Sequence, residues 1–223
     1  MQLRNQQALP AVYGSEPMAL DPSEVDSPPR RGRPRRADAS EAILDATLEL
    51  LAERGFHATT MDAIAERAGV AKNTIYRRWQ AKDDLIIDAF SHFTAGLELR
   101  AGDDGDVYRL LREHARNVAD LYSDPLASRL LPGLLGELQR DAAFADAYAK
   151  RVVKPLRDPV VALLAVARER GELRPDADPQ QIADMLVGPG FLRMLFPFGL
   201  PTVDSTYPDT LLDAIWRGIA STR

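Results

Sequence analysis

Cysteine is absent from the 223 residues. Neither a disulfide framework nor a thiolate metal site can therefore be built. Histidine is scarce, with only His57, His92 and His114. No Gly-x-Ser-x-Gly and no phosphate-loop pattern occurs, and the carboxylates are spread over solvated helix faces without an obvious partner. These absences make an enzyme the disfavoured reading and call for no cofactor or metal. No run approaches the roughly 18 to 20 consecutive apolar residues of a membrane span. At the N-terminus Arg4, Asn5, Gln6 and Gln7 interrupt any apolar core of the signal-peptide kind. The expectation is a cytoplasmic protein with no membrane partner.

What is present is an ordinary globular composition, 45% hydrophobic and 27% charged. The net charge of -5 hides an asymmetry. Residues 30–82 carry 11 basic and 7 acidic side chains, a balance of +4, and the remainder stands at -9. A basic segment joined to an acidic body is what a DNA reader with a separate regulatory body would show, although it also arises incidentally.

Residues 1–37 lack helical periodicity and contain Pro10, Pro17, Pro22, Pro28, Pro29 and Pro34, which predicts a disordered basic arm. From Asp38 onward the pattern is helical with no alternating strand, so the fold class is all-α. Asp38 as N-cap and Glu41 three residues later predict a first helix to Arg54, closed by Gly55, with Phe56 packed beneath the turn. Thr59 or Thr60 caps a short second helix through Ala68. Beyond Lys82, helices are expected at about 83–99, 106–123, 126–139, 142–170, 180–196 and 207–220. Pro155 and Pro159 should kink or break the fourth of these. Pro197, Gly199 and Pro201 should separate the last two. The domains follow as 1–37 for the arm, 38–83 for a three-helix helix-turn-helix, and 84–223 for a helical ligand-binding and dimerisation body.

The informative stretch is Met61 to Trp79. Two short helices meet at a turn containing Gly69, with small Ala65 at their closest approach. Ile64, Ala68, Val70, Ile75 and Trp79 should clamp the pair. Lys72, Asn73, Thr74, Tyr76 and Arg77 are left on the outer face of the second helix, which fits a major groove about 12 Å wide. Asn73 can pair with adenine and Lys72 can reach guanine. Thr74 can touch a thymine methyl or a phosphate, and Tyr76 suits a backbone phosphate. Lys82 opens the next helix, whose N-terminal dipole favours an anion. By residue type, the stretch reads equally as a surface helix pair that happens to carry basic side chains.

The run Ala-Gly-Val-Ala-Lys-Asn-Thr-Ile-Tyr-Arg-Arg-Trp, followed by Lys82, closely resembles the signature of TetR-type (tetracycline-repressor-like) regulators. Gly55-Phe56, Thr59-Thr60 and Ile64-Ala65 also stand where that family has them, so the likeness covers Ala39 to Phe90. It implies that Lys72, Asn73 and Thr74 face bases, and that Tyr76, Lys82 and Thr60 hold phosphates. Two positions depart from the family pattern. Asn73 stands where many relatives have glycine, and Trp79 stands where phenylalanine or histidine is frequent. Trp79 is read as core packing. Residues 168–178 and Leu186-Val187-Gly188-Pro189 are similar to a C-terminal subtype of the same family.

The resemblance implies a regulator, with repression the expected sign, that binds a palindromic double-stranded operator as a homodimer and is released by a small effector. A nonspecific architectural DNA protein is the rival reading, but it would not need a large apolar, acidic body. Arg30 to Arg36 packs five arginines into seven residues. Its Arg-Gly-Arg-Pro-Arg core is like an AT-hook, so Arg31, Arg33 and Arg35 are candidates for a minor-groove arm. The alternative is a solvated tail that adds nonspecific phosphate attraction. Candidate pocket residues are Phe90, Phe93, Leu97, Tyr108, His114, Val118, Leu121, Phe144, Tyr148 and Met194. Stripes of this kind are more often plain core, and His114 reads equally as interior or exposed. They favour a lipophilic or aromatic effector. Ala183, Leu186, Phe191, Leu195, Leu211, Leu212, Ile215 and Trp216 form the expected dimer stripe.

Overall fold

The computed structural model describes residues 36–97, 99, 106–196 and 204–221. Among these residues every regular element is helical, apart from one isolated antiparallel bridge between Leu173 and Ala220. No helix among them is long and apolar enough to cross a membrane. The expectations for Arg31, Arg33 and Arg35, and for Pro197, Gly199 and Pro201, lie outside the described residues.

Helix α1 spans Arg36–Ala58. Asp38 is thus inside the helix and not its N-cap, which corrects the predicted capping box with Glu41. Arg36 and Ala37 are good helix formers, so the helix propagates through them. Gly55 interrupts α1 with φ 76 and ψ 175, a conformation that glycine adopts without a Cβ penalty. The turn is pinned by the fully buried Thr59, whose hydroxyl donates to the Gly55 carbonyl at 2.8 Å. Helices α2 (Met61–Arg67) and α3 (Lys72–Tyr76) follow, then α4 (Lys82–Thr94). Helix α4 ends five residues before the predicted 99 and passes into a 3-10 turn over Ala95–Leu97.

The body comprises α5 (Val107–Ser123), α6 (Pro125–Arg140), α7 (Ala142–Tyr148), α8 (Lys154–Glu169), α9 (Pro179–Leu195) and α10 (Tyr207–Ile219). Where one helix over 142–170 was expected, α7 and α8 are joined by a π-helical segment, Ala149–Val153. An α-helix continued into Pro155 would press the proline ring on the Arg151 carbonyl. Widening one turn just before it relieves that clash, so the break falls N-terminal to the proline. Glycine closes α8 as it closes α2. Gly171 has φ 75, and Glu172 N–H bonds back to Ala167 O at 3.0 Å.

Three clusters of buried side chains hold residues 36–221 together. The first joins Ile43, Ala46 and Leu50 of α1 to Ile64, Ala65, Ile75, Trp79 and Leu85. A second sets Leu48 and Leu51 of α1 with Phe56, Ile86, Ile87 and Phe90 against Leu130, Leu134, Phe144 and Val152. In it Phe56 stacks on Phe90 at 6.4 Å and meets Phe144 edge-on at 5.9 Å, as expected for a ring beneath the turn. The third gathers Val107, Leu111, Val160, Leu164, Leu173, Ile182, Ala183, Leu186 and Leu212. Ile64, Ile75, Ile86 and Leu164 are fully enclosed, and each such burial contributes roughly 1.5–3 kcal/mol.

Candidate nucleic-acid interface and ligand cavity

The turn between α2 and α3 closes with two reverse bonds. Val70 N–H reaches Ala65 O at 3.0 Å and Gly69 N–H reaches Glu66 O at 3.2 Å, with Gly69 at φ 64. This glycine-ended cap sets the angle between the two helices. Thr60 is the N-cap of α2, its hydroxyl oxygen accepting from Ala63 N–H at 3.2 Å. That leaves its proton free to donate outward. On α3, Ile75 is fully buried and Trp79 is 5% exposed, whereas Tyr76 is 48% exposed and Lys72, Asn73 and Arg77 are also exposed. Thr74 is half-buried. The structure therefore brings Lys72, Asn73, Tyr76 and Arg77 to one open surface, with Thr60 also exposed at the start of α2. Lys72 pairs with Asp62 at 2.6 Å, but both side chains are well exposed, and such a pair is worth at most about 1 kcal/mol.

Lys82 departs from expectation. Its Nζ donates to the Phe56 carbonyl at 2.8 Å, so in the free protein it ties α4 to the end of α1. Asp83 and Asp84 occupy the first turn of α4 and already answer its dipole. The helix start predicted to attract an anion is instead flanked by two carboxylates.

Clamps that sequence reasoning missed hold this unit in place. Arg67 of α2 bridges to Glu49 at 3.0 Å and Glu53 at 2.6 Å on α1, and its hydrogen bond holds the Glu53 carboxyl below the usual range. Trp79 Nε1 donates to Asp88 Oδ2 of α4 at 2.7 Å. The other oxygen of Asp88 accepts from Arg151 of the π segment, and Arg151 also bonds Asp84 at 2.9 Å. The i to i+4 spacing of Asp84 and Asp88 was a readable sign that a cation would be needed there.

A cavity of about 450 Å³ opens inside the body, within the range of small-molecule sites. Phe90, Phe93, Leu97, His114, Val118, Leu121, Tyr148 and Met194 line it, as predicted from their stripes. Tyr108 and Phe144 do not. Tyr108 bonds Asp213 and meets Trp216 edge-on at 5.3 Å, while Phe144 fills the cluster around Phe56. Helical periodicity shows that a side chain points inward but not which inward space it meets. Unforeseen lining residues include Tyr122, Val152, Val153 and Arg157. Arg157 is held by Asp184 at 2.9 Å and by Gln180. Burial pushes the Tyr122 and Tyr148 phenols up and the His114 imidazole down. His114 Nδ1 is buried with no hydrogen-bond partner.

The predicted dimer stripe needs correction. Ala183, Leu186 and Leu212 are 4%, 6% and 0% exposed within the chain's own core, so they are not open to a second copy. Phe191, Leu195, Leu211, Ile215 and Trp216 are half-buried. The uncovered apolar side chains are Met185 (54%), Leu192 (50%) and Phe196 (56%), together with Val166 of α8. Their spacing of seven and four residues places them opposite Ala183, Leu186 and Gly190 on α9. A helix apolar on two faces was the signal that could have found them.

Residues 43–89 match the family described as bacterial regulatory proteins, tetR family, and residues 101–215 match the tetracyclin repressor-like C-terminal domain. An uncharacterised helix-turn-helix regulator of Bacillus subtilis, YdeS, is 36% identical over 86% of this chain and 96% of its own length. The DNA-binding transcriptional repressor TetR of Mycobacteroides abscessus is 30% identical, covering 79% of this chain and 90% of that protein. Among solved structures, the TetR family transcription regulator SCO0332 superposes with a TM-score of 0.63 at 31% identity, over 82% of this chain and all of that one.

His114 makes the fold sensitive to acid. Burial holds its folded pKa below the ordinary value of about 6.5. As pH falls through that value the unfolded chain takes up a proton that the folded chain resists, so stability is lost. Above it neither state is protonated and the term vanishes. Thermal unfolding of wild type and His114→Gln from pH 7.5 down to 5.5 should show wild type losing more stability. Parallel curves would contradict the assignment.

Proposed function

The chain belongs to the TetR family of bacterial regulatory proteins, DNA-binding transcription factors rather than enzymes, and from that membership we propose an effector-released repressor that grips a palindromic operator as a homodimer. The observation that carries the DNA reading is the split of α3 into a buried side, Ile75 and Trp79, and an open side, Lys72, Asn73, Tyr76 and Arg77. In the major groove Lys72 and Asn73 meet base edges, while Tyr76 and Thr60 donate to phosphates. Reading chromosomal DNA places its work in the cytoplasm. The arginines of residues 30–36 add a basic arm to the same duplex.

The partner copy covers the outward side of α9, where Met185, Leu192 and Phe196 are exposed with Val166 of α8 nearby in the body. Two such faces laid against each other remove apolar surface that one chain leaves in water. Two-fold symmetry then sets two recognition helices about 34–36 Å apart on one side of the duplex.

The cavity takes a small, largely apolar effector. Its wall includes Val152 and Val153 of the π segment, whose neighbour Arg151 grips Asp88, which in turn grips Trp79 at the end of α3. An effector that prefers one setting of that segment therefore biases the setting of the recognition helix. By linkage it must lower DNA affinity by the factor that DNA lowers its own.

Selection of binding sites from a random duplex pool tests the whole reading. The expected product is a palindrome preferred over random DNA by about 10³ or more. Tyr76→Phe should weaken binding to all sequences by about tenfold, the loss of one hydrogen bond to a charged group, and Lys72→Ala should also alter base preference. A product without symmetry, or variants that bind as wild type does, would refute it. In sedimentation, Leu192→Glu should leave a folded monomer, and a retained dimer would exclude this face. Asp88→Asn keeps an acceptor for the indole but loses the charge that holds Arg151. Its operator affinity should fall severalfold without a lost DNA contact, and an unchanged affinity would remove this link.

A further inference from the structure

The cavity wall is hydrocarbon except at a few points, and those points are uneven in kind. Arg157 is the cation among the lining residues, and it is already engaged by the Asp184 carboxylate and the Gln180 side chain at the edge of the space. No unpaired positive charge among the described lining residues awaits an anionic ligand, and an anion carried inside would lose its hydration without compensation. A different polar cluster lies deeper. His114 is only 7% exposed, lines the cavity, and has a buried Nδ1 with no hydrogen-bond partner. The hydroxyls of Tyr122 and Tyr148 border the same space, and the two phenols lie close enough for the charge of one to raise the other.

A buried polar atom without a partner costs about 1–3 kcal/mol, and such an atom on a cavity wall marks where a ligand atom belongs. Because burial keeps the imidazole neutral, Nδ1 is either a donor or an acceptor according to tautomer. A hydroxyl is the small neutral group that serves both cases, giving its proton to one tautomer and its lone pair to the other. A carbonyl serves one case only, and a carboxylate brings a charge the wall does not answer.

We infer that the effector is an uncharged, mainly apolar molecule bearing a hydroxyl, an alcohol or phenol, whose oxygen bonds His114 Nδ1 while its hydrocarbon fills the space between Phe90, Val118, Leu130 and Met194. This rests on the reading of the cavity as the effector site. Gly190 supports the shape of that site. A Cβ at Gly190 would come within 2.8 Å of the Tyr122 ring, so glycine lets α9 lie close enough to hold that phenol at the wall.

Two probes of nearly equal shape test it, 4-hexylphenol and hexylbenzene, titrated into the full chain by calorimetry. Water prefers the phenol, so a purely apolar cavity would bind hexylbenzene tighter. The inference predicts the reverse, 4-hexylphenol tighter by about tenfold. In His114→Leu that order should invert, and continued binding of hexylbenzene would show the variant's cavity intact. Should His114→Leu fail to fold, the order of the two probes in wild type decides the matter by itself. If both probes bind wild type equally, or hexylbenzene binds tighter, the hydroxyl assignment falls and the cavity reading stands. If neither binds, the cavity reading falls and this inference with it.

Discussion

Helix α4 is answerable to two cores at once. Leu85 belongs to the cluster that clamps the helix-turn-helix, while its immediate neighbours Ile86 and Ile87 belong to the cluster that opens toward the body. Helix α1 is divided in the same way, with Ile43 and Leu50 on one side and Leu48 and Leu51 on the other. Well-packed interiors do not deform smoothly and pass instead between discrete arrangements. A recognition unit that shares its two longest supports with a ligand-lined body therefore cannot ignore that body. Phe90 makes the point concrete. It stacks on Phe56 beneath the α1 turn and also lines the cavity.

Charge reinforces this sharing at its weakest place. The α3 helix has five residues, too few to hold itself by backbone bonds. Its position comes from Ile75, Trp79 and the indole bond to Asp88. That carboxylate is also spoken for by Arg151, beside the π turn that Pro155 imposes. The Arg67 fork to Glu49 and Glu53 anchors the opposite end. Most of these groups are at least partly exposed, so they act more as a means of orientation than as a source of stability.

The recognition unit was legible in the sequence because what defines it is local. Gly69 as the left-handed cap, Thr60 as the N-cap and the inward spacing of Ile64, Ile75 and Trp79 all lie within twenty residues and all stand as expected. What failed was what distance in the chain conceals. Lys82 looked free to meet a phosphate until the Phe56 carbonyl, 26 residues earlier, proved to hold it. Tyr108 shared a stripe with true cavity residues, but Asp213 and Trp216 claim it from 105 and 108 positions away. Leu212 and Ala183 read as a seam for a second copy because nothing local shows that α5, α8 and α9 close over them. Asp38 failed for the opposite reason, since a capping residue cannot stop a helix whose preceding residues also favour it.

The claim beneath all of this is geometric: the exposed side of α3 enters the major groove, twice, on one face of a duplex. Guanine N7 lies only in that groove, so methylation interference on a bound operator reads it directly. The account predicts two interfering patches whose centres are separated by about one helical turn, 10–10.5 base pairs. A single patch, or interference confined to adenine N3 in the minor groove, would contradict it.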